Sequence, residues 1–148
     1  MKSTQTPVIL VVDDSPDDRL LIRRALEVSH VANEIVTVND GEEALEYIFA
    51  KGRHASRDAA QVPQVVLLDL RMPKIDGFQV LKELRAAEPT RNVPVVVLTS
   101  SDEERDVVES YRFGANSYVR KPVKFPEFAE AVKKLGLYWM LLNKTPNG

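Results

Sequence analysis

Apolar residues along this chain fall into two alternating patterns. Five short runs rich in β-branched residues have the length and make-up of strands: VILVV (8–12), EIVTV (34–38), VVLLD (65–69), VPVVVLT (93–99) and SYVR (117–120). Between them, apolar positions recur every three or four residues, the spacing of an amphipathic helix. This spacing predicts a first helix over 16–29, with Leu20, Leu21, Ala25, Leu26 and Val28 on its apolar side, and a second over 41–50, with Ala44, Leu45 and Ile48. A third, over 78–87, carries Val80, Leu81 and Leu84; a fourth, over 103–113, carries Val107, Val108 and Tyr111. A fifth, from Phe125 onward, carries Phe128, Ala129, Val132 and Leu135. Ser15-Pro16 reads as an N-cap followed by proline at the first helical position, Asp40-Gly41 opens the second helix, and Gly114 closes the fourth. The segment KGRHASRDAAQVPQ (51–64) has no period and reads as a long surface loop, with His54, like His30, a solvated histidine.

Strands alternating with helices predict an α/β fold, a doubly wound parallel sheet with helices on both faces. At least three of the runs are continuously apolar, as expected where both faces of a strand are covered. In such sheets ligands bind at the carboxyl ends of the strands, so the residues at those ends are the candidate site.

Length and composition narrow the classes. The 148 residues suit one domain, 1–148, and 44% hydrophobic content supplies a core. A net charge of −2 gives no reason to expect nucleic acid or an anionic membrane as partner. There is no cysteine, hence no disulfide or thiol chemistry. The opening MKSTQT lacks the layout of a signal peptide, and no apolar stretch reaches the roughly 18 residues of a membrane span. The expectation is a soluble cytoplasmic protein.

The strand ends carry the chemistry. The first ends in Asp13-Asp14, the third in Asp69, the fourth in Thr99-Ser100-Ser101 and the fifth in Arg120-Lys121-Pro122. Taken singly, each has a plainer reading: paired acids cap helices, threonines cap turns, and lysines are solvated. Taken together, three carboxylates in one cleft repel, by about 4 kcal/mol for two unit charges about 4 Å apart at an effective dielectric of 20. Either one acid holds a proton or a divalent cation sits among them. Oxygen ligands without histidine or cysteine suit Mg2+ or Mn2+ rather than zinc. Lys121 adds a cation for phosphoryl oxygens, and a carboxylate is itself a competent nucleophile, giving an aspartyl phosphate. Asp69, from a central strand and followed by the turn-rich LRMPKIDGF, is the best candidate for that nucleophile.

VVDDS, LLDLRMPKIDGF, VVVLTS and GANSYVRKPV, in this order and spacing, resemble the receiver domain of two-component response regulators, the CheY-like family, over about residues 7–135. The resemblance implies a flavodoxin-like (βα)5 sheet of order 2-1-3-4-5. It implies Asp69 as phosphoacceptor, with Asp13 and Asp14 as the acid pair supporting Mg2+ (Asp14 the more direct ligand) and the backbone carbonyl of Arg71 as a further ligand. Thr99 and Lys121 would contact the phosphoryl oxygens, and Tyr118 would change rotamer as Thr99 is drawn in. The implied partner is a sensor histidine kinase, and the implied role is signalling rather than turnover. Arg71 and Ser101 occupy the two positions that tune phosphoryl lifetime in this family. A long arginine there either reaches over the site and slows autodephosphorylation or pairs with an acid on a partner.

The C-terminal residues 136–148 depart from a simple amphipathic helix: Leu137, Tyr138, Trp139, Met140, Leu141 and Leu142 are apolar on nearly all sides. This stretch either folds back on its own domain as a last helix or, the sharper reading, forms a homodimer contact. Together with the loop 51–64, it resembles the stand-alone receivers that serve bacterial phytochrome-type kinases. Two other functions fit less well. A Mg2+-dependent aspartyl-phosphate phosphohydrolase would carry Asp-x-Asp on the first strand, where this chain has adjacent acids. A nucleotide or flavin domain would carry G-x-x-x-x-G-K or G-x-G-x-x-G, and neither occurs.

Overall fold

The computed structural model describes residues 7–28, 33–100, 104–121, 124, 126–127 and 130. Five strands, β1 Val8–Val12, β2 Glu34–Val38, β3 Val65–Leu68, β4 Val95–Thr99 and β5 Ser117–Arg120, alternate with four helices, α1 Pro16–Val28, α2 Gly41–Phe49, α3 Gly77–Ala86 and α4 Glu104–Arg112. Every strand pair is parallel, in the order β2-β1-β3-β4-β5, as expected. The helix predicted from Phe125 onward lies, save for isolated positions, outside the described residues, and so does the 136–148 segment. β4 starts two residues later than the apolar run because Pro94 has no N–H for the ladder; its carbonyl still accepts from Val66 at 2.9 Å.

The central strands β1, β3 and β4 read as apolar runs because their alternate side chains enter two separate cores. Ile9, Val11, Val65, Leu67, Val96 and Leu98 pack with Ile22 and Leu26 of α1 on one face. Leu10, Val12, Val66, Leu68, Val95 and Val97 pack with residues of α2 and α3 on the other. The chain leaves β1 toward β2 and then crosses back to β3, so the carboxyl ends of β1 and β3 flank the point where the winding reverses.

Helix boundaries follow their caps. The Ser15 hydroxyl accepts from Asp18 N–H at 3.2 Å, and the Asp40 and Asp76 carboxylates accept from Glu43 and Gln79 N–H at 2.8 and 3.0 Å. Gly114 ends α4 at φ +108°, a conformation glycine reaches without strain. Two helix faces differ from the sequence reading. In α1 the buried positions are Ile22 and Leu26, while Leu20 and Leu21 are 48% and 57% exposed. Leu20 stands roughly 160° round the helix from Ile22, so the two leucines lie off the stripe that meets the sheet. In α4, Val108 and Tyr111 are exposed and the buried residues are Asp106 and Ser110.

The segment 51–64 is also tighter than a plain surface loop. It contains a 3-10 turn, Gly52–His54, pinned to α2 by Arg53 Nε on Glu46 at 2.6 Å and by a His54–Glu43 contact of 3.0 Å. His54 is therefore a partnered histidine rather than a solvated one. Arg57 lies 3.9 Å over the Tyr47 ring and donates to the Tyr47 carbonyl.

Gly77 ties this framework to the strand ends. Its N–H donates to the Leu70 carbonyl at 2.9 Å, and a Cβ on it would stand 2.7 Å from Leu70 Cα and closer still to the Asp69 carbonyl. Those neighbours are backbone and cannot rotate away. Gly77→Ala is expected to destabilise the fold by about 1–3 kcal/mol, read as a lower urea midpoint. An unchanged midpoint would mean that the segment after β3 shifts without cost.

Candidate functional site

Register brings the acids together. Val12 of β1 lies beside Leu68 of β3, so the next residues, Asp13 and Asp69, leave the sheet side by side. The ladder continues one step further, with Asp69 N–H donating to the Val12 carbonyl at 3.0 Å. The carboxylate oxygens of Asp13, Asp14 and Asp69 all lie within 4.8 Å of one another, with Asp13 and Asp69 buried and Asp14 exposed. Lys121 arrives from the other side of β3. Its N–H donates to the Thr99 carbonyl at 3.1 Å, extending the β4–β5 ladder past Arg120. Its Nζ then lies 2.7 Å from Asp13 Oδ2, 2.9 Å from Asp18 Oδ2 and 3.4 Å from Asp69 Oδ2.

The charges are strongly coupled. Burial pushes the Asp69 carboxyl up; Lys121 draws it back, Asp13 pushes it up again, and it stays above the ordinary aspartate value. Burial alone would weaken the Lys121 ammonium. Its close contacts to Asp13 and Asp18, with the charge of Asp69, outweigh that and hold it above the ordinary lysine value. Asp13 is 1% exposed. Its Oδ1 accepts from Ser15 N–H at 2.9 Å, and its carbonyl accepts from Arg19 Nη1 at 2.6 Å. Its Oδ2 has no aligned hydrogen-bond donor, because Lys121 meets it as an ion pair off the hydrogen-bonding direction.

A buried carboxylate oxygen without a hydrogen bond is costly in a closed fold. Here it faces two further carboxylates. Three hard oxygen donors, one of them without a hydrogen bond, fit a small divalent cation such as Mg2+ or Mn2+, and among the described residues no histidine joins them.

Thr99 is buried at the end of β4. Tyr118 is half-buried, paired in register with Val97 and packed against the core on the α2–α3 face. The Arg71 N–H points at Asp69 Oδ1, 3.4 Å away. Its guanidinium, expected over the site or on a partner's acid, is instead bound within the chain: Nη2 lies 2.6 and 2.5 Å from the two oxygens of Asp106 in α4. Ser101 lies outside the described residues.

Three residues of the site were not anticipated from the sequence. Asp18 holds Lys121, Arg19 holds the Asp13 carbonyl, and Asp106 holds Arg71. Asp17 and Asp18 together look like ordinary first-turn acids, and only the fold shows which of the two meets the lysine. Asp106 gave no local signal, because its partner Arg71 lies 35 residues earlier.

The raised Asp69 value has a consequence for stability. Its pKa is higher in the folded than in the unfolded chain, so the native state holds that proton more tightly. Stability from this group is complete below the unfolded value and is lost as pH rises through the folded one. Asp69→Asn is therefore expected to raise the melting temperature of the metal-free protein near neutral pH. The difference should shrink toward about pH 4, as followed by circular dichroism melts across pH. A variant less stable than wild type at neutral pH would contradict this balance.

Known proteins resemble this chain in sequence and fold. The model of the response regulator receiver domain matches residues 9–133. A probable methanogenesis regulatory protein, FilR2, of Methanothrix harundinacea is 37% identical over 139 residues, covering 94% of this chain and 87% of that protein. The bacteriophytochrome response regulator AtBRR superposes with a TM-score of 0.84 at 46% identity, over 95% of this chain and 99% of that one. The Mn2+-bound form of response regulator Rcp1, a Synechocystis protein, superposes at 0.74 with 32% identity, over 94% of this chain and 96% of that one. With sheet order, acid cluster and lysine in agreement with so extensive a match, this chain belongs to the response regulator receiver domain family, and its structural neighbours include phytochrome response regulators.

Proposed function

We propose that the protein is a phosphoryl-accepting signalling receiver, in which Asp69 takes a phosphoryl group from a phosphohistidine of a sensor histidine kinase. The observation that carries this reading is the cluster of Asp13, Asp14 and Asp69 within 4.8 Å, with the Lys121 ammonium 3.4 Å from Asp69. Asp13, Asp14, Asp69 and the backbone carbonyl of Arg71 would hold Mg2+. Bound there, the ion supplies positive charge to the phosphoryl oxygens.

The chain's own groups supply the rest. An Asp69 carboxylate oxygen attacks phosphorus in line. The new O–P bond forms as the P–N bond to histidine breaks, and the electron pair leaves with the imidazole. Lys121 is placed to neutralise a phosphoryl oxygen, with the Thr99 hydroxyl as a second donor. The added negative charge draws Thr99 and Lys121 inward. Tyr118 follows, and the surface of α4 and β5 changes for its next partner.

The phytochrome-type kinase is the proposed source of the phosphoryl group, supported by the similarity to AtBRR along nearly the whole of both chains. The proposed place of the exchange is the cytoplasm, where ATP charges such kinases. The alternative, a phosphohydrolase that turns over an aspartyl phosphate, is disfavoured because β1 is followed by the adjacent acids Asp13-Asp14 rather than by Asp-x-Asp.

Acetyl phosphate with Mg2+ is expected to add one phosphoryl group per chain, seen by intact mass, and Asp69→Asn is expected to abolish the gain. Continuous release of many equivalents of phosphate per chain would establish the hydrolase instead. We also propose that the apolar 136–148 segment forms a homodimer contact, supported by its sequence alone. Equilibrium sedimentation should show a dimer for the full chain and a monomer for a chain ending at Gly136. A monomeric full chain at tens of micromolar would remove the dimer.

A further inference from the structure

We infer that Asp18 is a positioning residue for Lys121: it is the counter-ion that keeps the ammonium beside the acid cluster once a divalent cation takes Asp13 and Asp69. The inference rests on reading that cluster as a cation site.

The Lys121 ammonium has three N–H donors and three carboxylate oxygens around it, at 2.7, 2.9 and 3.4 Å. Its side chain is only 10% exposed, so solvent offers few replacements. Two of the three oxygens belong to Asp13 and Asp69, the residues a cation would use. An ammonium and a divalent ion seeking the same oxygens exclude one another. Asp18 stands apart from that competition. It lies in the first turn of α1 and is not among the three clustered acids. Its contact to the lysine is an aligned hydrogen bond, whereas the nearer Asp13 contact is not.

Both ends of this pair are fixed. Asp18 N–H is held by the Ser15 hydroxyl and Lys121 N–H by the Thr99 carbonyl, so the bond joins the start of α1 to the end of β5 across 103 residues of sequence. With Asp18 present, the ammonium yields Asp13 and Asp69 to the cation, keeps one carboxylate, and remains within reach of a phosphoryl oxygen. Without it, among the described residues the ammonium has only the oxygens that the cation needs.

A bare negative charge near the site would also attract a cation, and this is the rival account. The two accounts separate in Mg2+ titrations of the full chain by calorimetry. Asp18→Asn is expected to weaken Mg2+ binding about tenfold, and Asp18→Glu to restore most of it. Asp17→Asn removes the same charge from the same turn and should change affinity less than about twofold. On a Lys121→Met background, Asp18→Asn should likewise cost less than about twofold, because the residue through which Asp18 acts is gone.

An Asp18→Asn protein that binds Mg2+ like wild type would overturn the inference. So would an equal loss on the Lys121→Met background, since Asp18 would then act by its field alone. Wild-type protein that takes up no Mg2+ would overturn the cation reading first and this inference with it.

Discussion

The structure turns on one electrostatic conflict, the mutual repulsion of carboxylates brought together where β1 and β3 end. Register makes the conflict unavoidable: Val12 pairs with Leu68, so Asp13 and Asp69 must emerge together. Moving them apart would slip β1 against β3 and turn every strand side chain to the wrong core. In the metal-free protein the conflict is met by Lys121, and the Asp69 carboxyl still stays above its ordinary value. The site is thus only partly neutralised, and it favours any ligand that brings positive charge and oxygen-seeking coordination.

That conflict also explains why so much around it is held by backbone. Lys121 is anchored through Thr99, Asp13 through Ser15 and Arg19, and the segment after β3 through Gly77. Each anchor uses a peptide group of the sheet or of a helix start, so the charged side chains are aimed by elements that the two cores already fix. A phosphoryl group on Asp69 would therefore meet a lysine whose backbone is set before it arrives, which is the condition for electrostatic stabilisation without reorganisation.

The central strands β1, β3 and β4 were the most legible feature of the sequence because both of their faces are buried, so no phase had to be judged; VILVV is apolar whichever core each residue enters. Helices demanded a phase, and two were misjudged for different reasons. In α1, the pair Leu20-Leu21 outweighs Ile22 by count, although the sheet contacts Ile22 and Leu26. In α4, the buried side includes Asp106, whose place depends on an arginine 35 residues earlier, and no local period contains that information. Asp13, Asp14, Asp69 and Lys121 were legible because strand ends converge in any sheet of this kind. Asp18 and Arg19 were not, since their roles come from the rotation of α1 about its axis. The loop 51–64 hid its order for a similar reason: its contacts are to Glu43, Glu46 and Tyr47, spaced along one side of α2.

Position 71 shows how the same conflict reaches α4. Asp106 is 3% exposed, and the Arg71 guanidinium binds both of its oxygens from a side chain that is itself more than half exposed. A buried carboxylate that loses such a partner is destabilised far more than a surface ion pair would suggest. Arg71 therefore has two obligations: its backbone belongs to the loop at Asp69, and its guanidinium belongs to α4. Truncating it would strip Asp106 of that partner, so the effect of such a variant would not measure shielding of Asp69 alone. Through Arg71, the loop that follows Asp69 is joined to the first turn of α4.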